Sequence, residues 1–362
     1  MDKNRLKVLF NTPNPALHGG PSTHLPFLEK ELGKYVCLDT FKYGRRTDDE
    51  TILAKLFGRF KDFLALHSRL SKSPPDIIHH NTAFDTIAII RDFPLIWLAK
   101  KHKIPLFLKM HGSCNELYAD IKTPLKQLRD FNLRNATCIG VLSAVEKDEY
   151  LKAWPFLDGR IKVVKNIIKP SFHTVQRLES KVPMVLFISR FIREKGMFDL
   201  LGAVPDVLKR YNEVDFIFIG SGPDAKEFDR QVRNDRLDKY VKRIDHIRNP
   251  ETIDYYKTAW VFVFPTQRLQ EGMPMVVAEA MAAGVPIITT QTKFSRSYMT
   301  MGEHCLFVEY NSPKSIANGI IQLLENDGLR LLLSKKSHEL AKKFKENTVT
   351  KEFVSIYEDI SM

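Results

Sequence analysis

The sequence predicts an α/β protein with two doubly wound domains. Three observations support this: short apolar runs alternate with helical segments along the 362 residues, several runs are apolar on both faces, and the alternation is interrupted once. Residues 216–219 form such a run, which is typical of parallel strands covered by helices. Right-handed crossovers then favour doubly wound sheets. The length fits about two domains.

Twelve strands are predicted in two sets of six. The first set covers residues 6–11, 36–41, 76–81, 104–110, 138–143 and 161–166, with helices at 82–102 and 144–154. The second set covers residues 184–189, 215–220, 240–246, 260–265, 285–290 and 306–309. The sets define an N-terminal domain at 1–168 and a C-terminal domain at 184–342, joined by a polar linker at 169–183. We expect the two domains to face each other across a cleft, with ligands at the carboxyl ends of the strands.

The composition is that of an ordinary globular protein, with 44% hydrophobic and 27% charged residues. It excludes a disordered chain, and no apolar run approaches the ~18 residues of a membrane span. The first strand begins at residue 6, too early for a signal peptide, so we expect a cytoplasmic protein. The four cysteines lie far apart, and this spacing supports neither a disulfide framework nor a zinc site.

The net charge of +12 is unevenly distributed along the sequence. Residues 1–165 carry 27 basic and 18 acidic residues, a formal charge of +9, and the remainder carries +3. This predicts that the N-terminal half meets an anionic partner: a phosphorylated acceptor, a membrane surface or a nucleic acid.

Two basic residues lie in a predicted strand-to-helix corner. Arg190 and Lys195 follow the strand at 184–189 and precede a helix that begins near Met197. Two cations beside the free N–H groups of a helix start suit a diphosphate. A solvated basic turn is the alternative interpretation. The glycine turn at Gly220, after the next strand, fits close approach of a ligand or a tight corner equally well.

Two glutamates follow the strand at 260–265. Glu271 lies in the loop, and Glu279 lies about two turns into the helix after it, in an apolar stretch where a carboxylate needs a partner. The pair can accept hydrogen bonds from two separate sets of sugar hydroxyls. Backbone N–H groups remain available for a phosphate at Gly272, Met273 and Met275. In the N-terminal half, Gly19 and Gly20 follow the first strand. His111 follows the strand at 104–110, where a structural histidine is the ordinary interpretation.

Taken in order, these motifs resemble those of the retaining family-four glycosyltransferases of the GT-B fold. The resemblance covers nearly the whole chain through Gly19-Gly20, residues 76–80, His111-Gly112, residues 189–191 and 194–196, residues 220–223 and the pair Glu271 and Glu279. The glutamate pair is the most specific, because it comes with the Gly-Met-Pro loop and the Ala-Ala-Gly-Val-Pro helix end. Members of the family usually return their last helix, here expected at 343–362, to the N-terminal domain.

The resemblance implies that the protein transfers a hexose, with retention, from a nucleotide diphosphate sugar to a saccharide or lipid-linked acceptor in polysaccharide synthesis. A UDP-sugar is the favoured donor, and no metal ion or other cofactor is expected. The resemblance implies that Arg190 and Lys195 bind the diphosphate and stabilise the leaving group. It implies that Glu271 and His111 contact the donor sugar and that Glu279 binds the ribose. Gly19 and Gly20 would let the N-terminal loop approach the sugar closely, and Ile247 with its neighbours at 246–248 would line the base pocket. The leaving phosphate then takes the acceptor proton, because no general base stands out.

Two departures from the family pattern leave the donor open. Residues 166–169 read Asn-Ile-Ile-Lys where the family usually has Asn-Gly-(Val/Ile)-Asp, and Met273-Pro274 stands where Phe-Gly is frequent. Two other functions stay open: a UDP-sugar 2-epimerase, whose further carboxylates have no obvious place, and a non-catalytic nucleotide-sugar- or nucleic-acid-binding protein. Aromatic residues interleaved with basic ones, typical of single-strand binding, are missing from the sequence. Donor hydrolysis without acceptor distinguishes a transferase from a binder.

An amphipathic, basic helix is predicted at residues 51–72. Its apolar residues at helical spacing are Ile52, Leu53, Leu56, Phe57, Phe60, Phe63 and Leu64, and its basic residues are Lys55, Arg59, Lys61, Arg69 and Lys72. Such a helix either packs on the N-terminal sheet or lies on an anionic membrane surface. Both interpretations stay open, and the second places the protein peripherally on the inner face of the cell membrane.

Overall fold

The computed structural model describes residues 5–12, 20–43, 51–112, 121–245, 252–268 and 270–362. The chain forms two units: unit 1 is Met1–Ile167 with Glu346–Met362, and unit 2 is Ile168–Lys345. Gly19 and Ile247, with its neighbours His246 and Arg248, lie outside the described residues.

Unit 1 contains a sheet of six parallel strands in the order β2-β1-β3-β4-β5-β6. The strands are Lys7–Thr12 (β1), Cys37–Lys42 (β2), Ile77–Thr82 (β3), Leu106–Met110 (β4), Cys138–Val141 (β5) and Ile161–Val163 (β6). Its helices include Gly20–Leu32 (α1), Ile52–Lys72 (α2), Thr86–Lys101 (α3), Leu125–Asn135 (α4) and Ala144–Ala153 (α5). The side chains of Asp85 and Ser143 cap the N-termini of α3 and α5. Helices α2 to α5 pack on one face of this sheet.

Unit 2 repeats the plan, with six parallel strands in the order β12-β11-β10-β7-β8-β9. The strands are Met184–Ile188 (β7), Asp215–Ile219 (β8), Val241–Ile244 (β9), Val261–Phe264 (β10), Ile287–Thr289 (β11) and Leu306–Phe307 (β12). The helices are Pro170–His173 (α6), Met197–Leu208 (α7), Ala225–Asn234 (α8), Thr252–Thr258 (α9), Met275–Ala282 (α10), Lys293–Tyr298 (α11), Pro313–Glu325 (α12) and Asp327–Ala341 (α13). All twelve predicted strands are therefore present at the predicted places along the chain.

Residues 169–183, predicted as a polar linker, are structured as part of unit 2. They include α6, and the guanidinium of Arg177 donates hydrogen bonds to the carbonyl oxygens of Tyr256 and Ala259. Leu178 N–H donates to the carbonyl of Lys257 at 2.9 Å. The segment is polar because it lies on the surface of unit 2, where these bonds anchor it.

The last helix, Glu346–Ser361 (α14), packs in unit 1 on the face that α1 also covers. Its Tyr357 hydroxyl lies 2.5 Å from Nδ1 of His79 in β3. Residues 346–362 carry four acidic residues and one basic residue, so unit 1 has 28 basic and 22 acidic residues, or +6. Unit 2 carries the other +6. The charge excess read along the sequence is therefore shared equally once α14 is assigned to unit 1.

Across the described residues, no helix combines the length and apolar character needed to cross a membrane. In the same residues, no three His, Cys, Asp or Glu side chains converge in a way that could hold a metal ion.

Candidate active site

The loop after β7 carries both basic residues of interest and is anchored on two sides. Phe191 N–H donates to the carbonyl of Ser221 at 2.9 Å, and its own carbonyl accepts from Asp224 N–H at 3.1 Å. On the other side, Gln267 N–H donates to the carbonyl of Glu194 at 2.8 Å. These bonds tie the loop to the segments after β8 and β10, so its backbone is held in place from both sides.

Glycines permit this close packing of loops. Gly220 has φ of +147°, and a Cβ there would overlap the carbonyl oxygen of Ser189. A Cβ at Gly222 would overlap the carbonyl of Phe191. The structure thus explains both glycines by a tight corner between loops, which was one of the two interpretations of the sequence.

Lys195 and Glu271 form an ion pair within unit 2. The Lys195 ammonium donates to Oε1 of Glu271, and both side chains are largely buried. Burial lowers the pKa of Lys195, and the nearby Glu271 carboxylate opposes that shift. The ammonium also lies 5.4 Å from the centre of the Phe264 ring, at the end of β10. The pair forms because β7 and β10 are neighbours in the sheet, so the loops that follow them meet.

Arg190 lies near this pair but differs from Lys195 in its surroundings. Its side chain is exposed, and among the described residues no hydrogen bond or ion pair engages it. Its charge is close enough to contribute to the lowered pKa of Lys195. Two cations therefore lie at one sheet edge, and only Lys195 has a carboxylate partner.

Helix α10 begins at Met275, four residues after Glu271, so the buried Glu279 lies about one turn into the helix rather than the two turns that the sequence predicted. Pro274 precedes its first residue, Met275, and Gly284, with φ of +66°, lies just past its end. The Tyr256 hydroxyl donates to Oε2 of Glu279 at 3.3 Å. Burial raises the pKa of Glu279 to about 7. Glu279 thus has the partner that its apolar surroundings require.

His111 lies in unit 1, directly after β4. Its backbone N–H donates to the carbonyl of Thr82 at 2.8 Å, and Nε2 lies 2.7 Å from Oδ1 of Asn81. The His24 ring of α1 is 5.2 Å away, centre to centre. Burial holds the pKa of His111 well below its ordinary value. Gly20, also predicted for this site, is the first residue of α1.

Residues 169–348 match the family model described as glycosyl transferases group 1. Through these residues, the chain belongs to the group 1 glycosyltransferases.

Among relatives of this glycosyltransferase, the alpha-monoglucosyldiacylglycerol synthase of Acholeplasma laidlawii is 26% identical over 217 residues. That match covers 56% of this chain and 54% of the relative, so it spans about half of the relative's length.

Two solved structures share the whole fold. A sucrose-phosphate synthase from Thermosynechococcus elongatus superposes with a TM-score of 0.75 at 18% identity, covering 98% of this chain and 99% of that one. The Anabaena protein HepE in complex with UDP superposes with a TM-score of 0.74 at 14% identity, covering 98% and 100%. With its two parallel six-stranded sheets, the glycosyltransferase therefore has the GT-B fold that the sequence resemblance implies.

Sequence reasoning missed three neighbours of the candidate residues: Tyr256, Phe264 and Asn81. Asn81 lies in the predicted strand 76–81, directly after the family motif at 76–80, but no spacing rule connects it with His111, 30 positions later. The structure also shows a local effect of one departure from the family pattern, the lysine at position 169. Lys169 precedes α6, and its charge opposes the rise in the pKa of Glu279.

Proposed function

We propose that this glycosyltransferase transfers a hexose, with retention and without a metal ion, from a UDP-sugar to a saccharide or lipid-linked acceptor. The observation that carries the proposal is the grouping in unit 2 of two cations with the ion-paired Glu271. Glu279 is the fifth residue of α10, about one helical turn after the start of the helix. The two cations can bind a diphosphate, and the two carboxylates can accept hydrogen bonds from sugar hydroxyls.

The ion pair suggests how the donor engages the site. A diphosphate competes with Glu271 for the Lys195 ammonium, and the freed carboxylate can then accept sugar hydroxyls. As the nucleoside diphosphate leaves, negative charge grows on its oxygens, and Lys195 and Arg190 stabilise that charge. Each charge-assisted hydrogen bond contributes about 1.5–3 kcal/mol.

Similar proteins support the choice of substrates. The Anabaena structure contains UDP, and the name of the Acholeplasma relative describes a glucosyl group on diacylglycerol. We therefore favour a UDP-hexose as donor and a lipid-linked or membrane-located acceptor.

A thermal-shift screen against UDP-, GDP- and ADP-sugars tests the donor. A ligand at about 100 times its Kd stabilises the fold by about 2.7 kcal/mol, so the correct base should stand out. The selected sugar is then incubated without acceptor. Slow release of UDP and free hexose supports a transferase, the 2-epimer identifies an epimerase, and binding without turnover identifies a non-catalytic binder.

The acceptor proposal rests on an exposed apolar patch on α2 and α3. Phe57 and Phe60 of α2 are 70% and 60% exposed, and outward-facing apolar residues continue at Leu64, Ile87, Ile90 and Trp97. The two helices lie side by side, because the rings of Phe63 and Trp97 are 6.2 Å apart. The inner side of α2 packs on the sheet through Leu66 and Leu70. The inner side of α2 therefore packs on the sheet, and we propose the membrane-surface interpretation for its exposed side.

Charge favours an anionic membrane as the occupant of this patch. Helices α2 and α3 together carry eight basic and two acidic residues, a local +6 equal to the net charge of all of unit 1. Both acidic residues are buried against arginines, Asp62 with Arg59 and Asp92 with Arg91. Each basic residue near an anionic surface adds about 1 kcal/mol. We propose that unit 1 docks peripherally on the inner face of the cell membrane and meets a lipid-linked acceptor there.

Co-sedimentation with vesicles tests the docking. The wild-type protein should bind phosphatidylglycerol vesicles at low salt and dissociate from them at high salt. It should not bind phosphatidylcholine vesicles. Phe57→Glu or Phe60→Glu should reduce binding. Leu331→Glu, at a residue 69% exposed on α13 of unit 2, is the matched control and should not. Equal loss in the control, or no wild-type binding at low salt, contradicts the docking.

A further inference from the structure

Asn81 connects three strands at the carboxyl end of the unit 1 sheet. It lies near the end of β3, and its Nδ2 donates to the backbone carbonyl of Asn11 in β1 at 2.7 Å. Its Oδ1 lies 2.7 Å from Nε2 of His111, which follows β4. The Asn81 side chain is buried, so both contacts are shielded from water.

These contacts determine where the imidazole proton of His111 resides. A backbone carbonyl only accepts hydrogen bonds, so the side of the Asn81 amide that faces Asn11 must be the NH₂ group. Its oxygen then faces His111, and the ring nitrogen that meets this oxygen must be the donor. In a neutral imidazole the other nitrogen has no proton. Nδ1 of His111 is thus an acceptor, and it is buried without a partner among the described residues.

The groups around His111 keep the ring neutral. Burial lowers its pKa most, followed by the charges of His24 from α1, Lys109 from β4 and His79 from β3. The amide of Asn81 also faces His79, whose own pKa burial holds well below the ordinary value. Among the residues that the structure describes, no carboxylate contributes to the lowered pKa of His111, so the ring is neutral and its unprotonated nitrogen can accept a hydrogen bond.

We propose that Asn81 is a positioning residue: it fixes His111 in the tautomer protonated at Nε2, so that Nδ1 accepts a hydrogen bond from a hydroxyl of the sugar substrate. The identity of that donor rests on the proposed function. A diphosphate offers only acceptors and a lipid tail offers neither donor nor acceptor, whereas a saccharide offers O–H groups. Donor sugar and acceptor sugar share this chemistry.

Nitrogen chemical shifts of the wild-type protein test the tautomer directly. The eleven histidines are labelled with ¹⁵N, and the His111 signals are identified by their loss in His111→Asn. We expect an unprotonated Nδ1 and a protonated Nε2 through the neutral range. A proton on Nδ1, or an even mixture, overturns the proposal whatever the activity. Conversely, a protein without transferase activity but with this tautomer refutes the proposed function and leaves the role of Asn81 in the tautomer intact.

Two variants separate positioning from simple strand bridging. Asn81→Leu and Asn81→Asp both remove the donor to Asn11, but only Asp keeps an acceptor towards His111. The Leu variant should lose about tenfold in turnover at every pH, because a buried hydrogen bond is left unmade. The Asp carboxylate raises the pKa of His111. Its variant should therefore retain most turnover at alkaline pH and lose it as the pH falls and the ring becomes protonated.

The same comparison can overturn the proposal. Equal losses in the two variants, with the same pH profile, would mean that Asn81 only bridges β1 and β3. Thermal melts establish that both variants fold. If either does not, the wild-type chemical shifts decide alone. Comparing donor hydrolysis with transfer distinguishes the two hydroxyl sources: a loss in both places the hydroxyl on the donor sugar, and a loss in transfer alone places it on the acceptor.

Discussion

Burial of Glu279 predicts that donor binding depends on pH, in a direction that follows from the structure. Burial raises the pKa of this carboxyl to about 7 from 4.5, while Lys169 and the Tyr256 hydrogen bond oppose the shift. In its proposed role the carboxylate accepts ribose hydroxyls, and only the ionised form accepts them well. Donor affinity should therefore rise as the pH rises through neutrality.

The magnitude follows from the ionised fraction. A group with a pKa of about 7 is about one-tenth ionised at about pH 6 and about nine-tenths ionised at about pH 8, so Kd should fall about tenfold between them. Isothermal titration calorimetry with UDP-glucose measures this. Both phosphates of UDP-glucose are esterified, so the charge of the ligand stays constant over the range and the protein alone titrates.

Glu279→Gln is the control, because Gln has the same shape and cannot ionise. Its affinity should be weak and independent of pH. The variant should also be more stable than the wild type. In the wild type the pKa of Glu279 is higher in the folded than in the unfolded state, so ionisation of Glu279 destabilises the folded state. This destabilisation grows as the pH rises from about 4.5 and is complete above about 7. Removing that penalty should stabilise the variant by at most about 3 kcal/mol at about pH 8, measured as a higher Tm. A wild-type Kd that is flat with pH, or the same slope in the variant, refutes this reasoning.

Three further predictions concern the cations of the loop after β7, the glycine corner after β8 and the effect of removing metal ions. Arg190→Ala and Lys195→Ala should each lower kcat about tenfold to a hundredfold, and the Tm of the Arg190 variant should be nearly unchanged. Arg193 is exposed on the same loop, so Arg193→Ala is the control and should leave kcat unchanged. Equal rates in all three variants refute the assignment. Gly220→Ala should lower stability by about 2 kcal/mol or more in thermal melts, because its backbone is left-handed and its Cβ has no room; Gly33→Ala, where a Cβ has ordinary contacts, is the matched control. Activity should survive excess EDTA, because cations of the chain stabilise the leaving group; loss that manganese or magnesium restores would contradict this.

The strands could be predicted because burial leaves a direct trace in the sequence. Residues 216–219 are apolar on both faces and form all of β8 except its first residue. The strand ends were harder to place. Val164, Ile167 and Ile168 are buried beyond the last residue of β6, so apolar character continues after strand pairing has ended.

Part of the candidate site could be predicted because parallel strands end at one edge. Lys195 and Glu271 follow β7 and β10, which are adjacent in the sheet. Their ion pair, across 76 positions, required the strand order, which the sequence does not state. The charge of each unit depends on the packing of α14 in unit 1, which the family resemblance implied; a charge count along the sequence leaves it out, and the acidic residues of α14 offset the basic N-terminal half.

The protonation states of the candidate residues depend on tertiary burial, which is why motif spacing could not predict them. Desolvation is the largest contribution at Glu279, His111 and Lys195, and in each case it favours the neutral form: it raises the pKa of the carboxyl and lowers those of the imidazole and the amine. Lys195 has the carboxylate of Glu271 in direct contact, which favours its charged form. Glu279 has a neutral phenol and His111 a neutral amide. Of these three residues, we therefore expect Glu279 to change its charge near neutral pH, and we expect His111 to stay a neutral hydrogen-bond acceptor and Lys195 to stay a cation for the diphosphate.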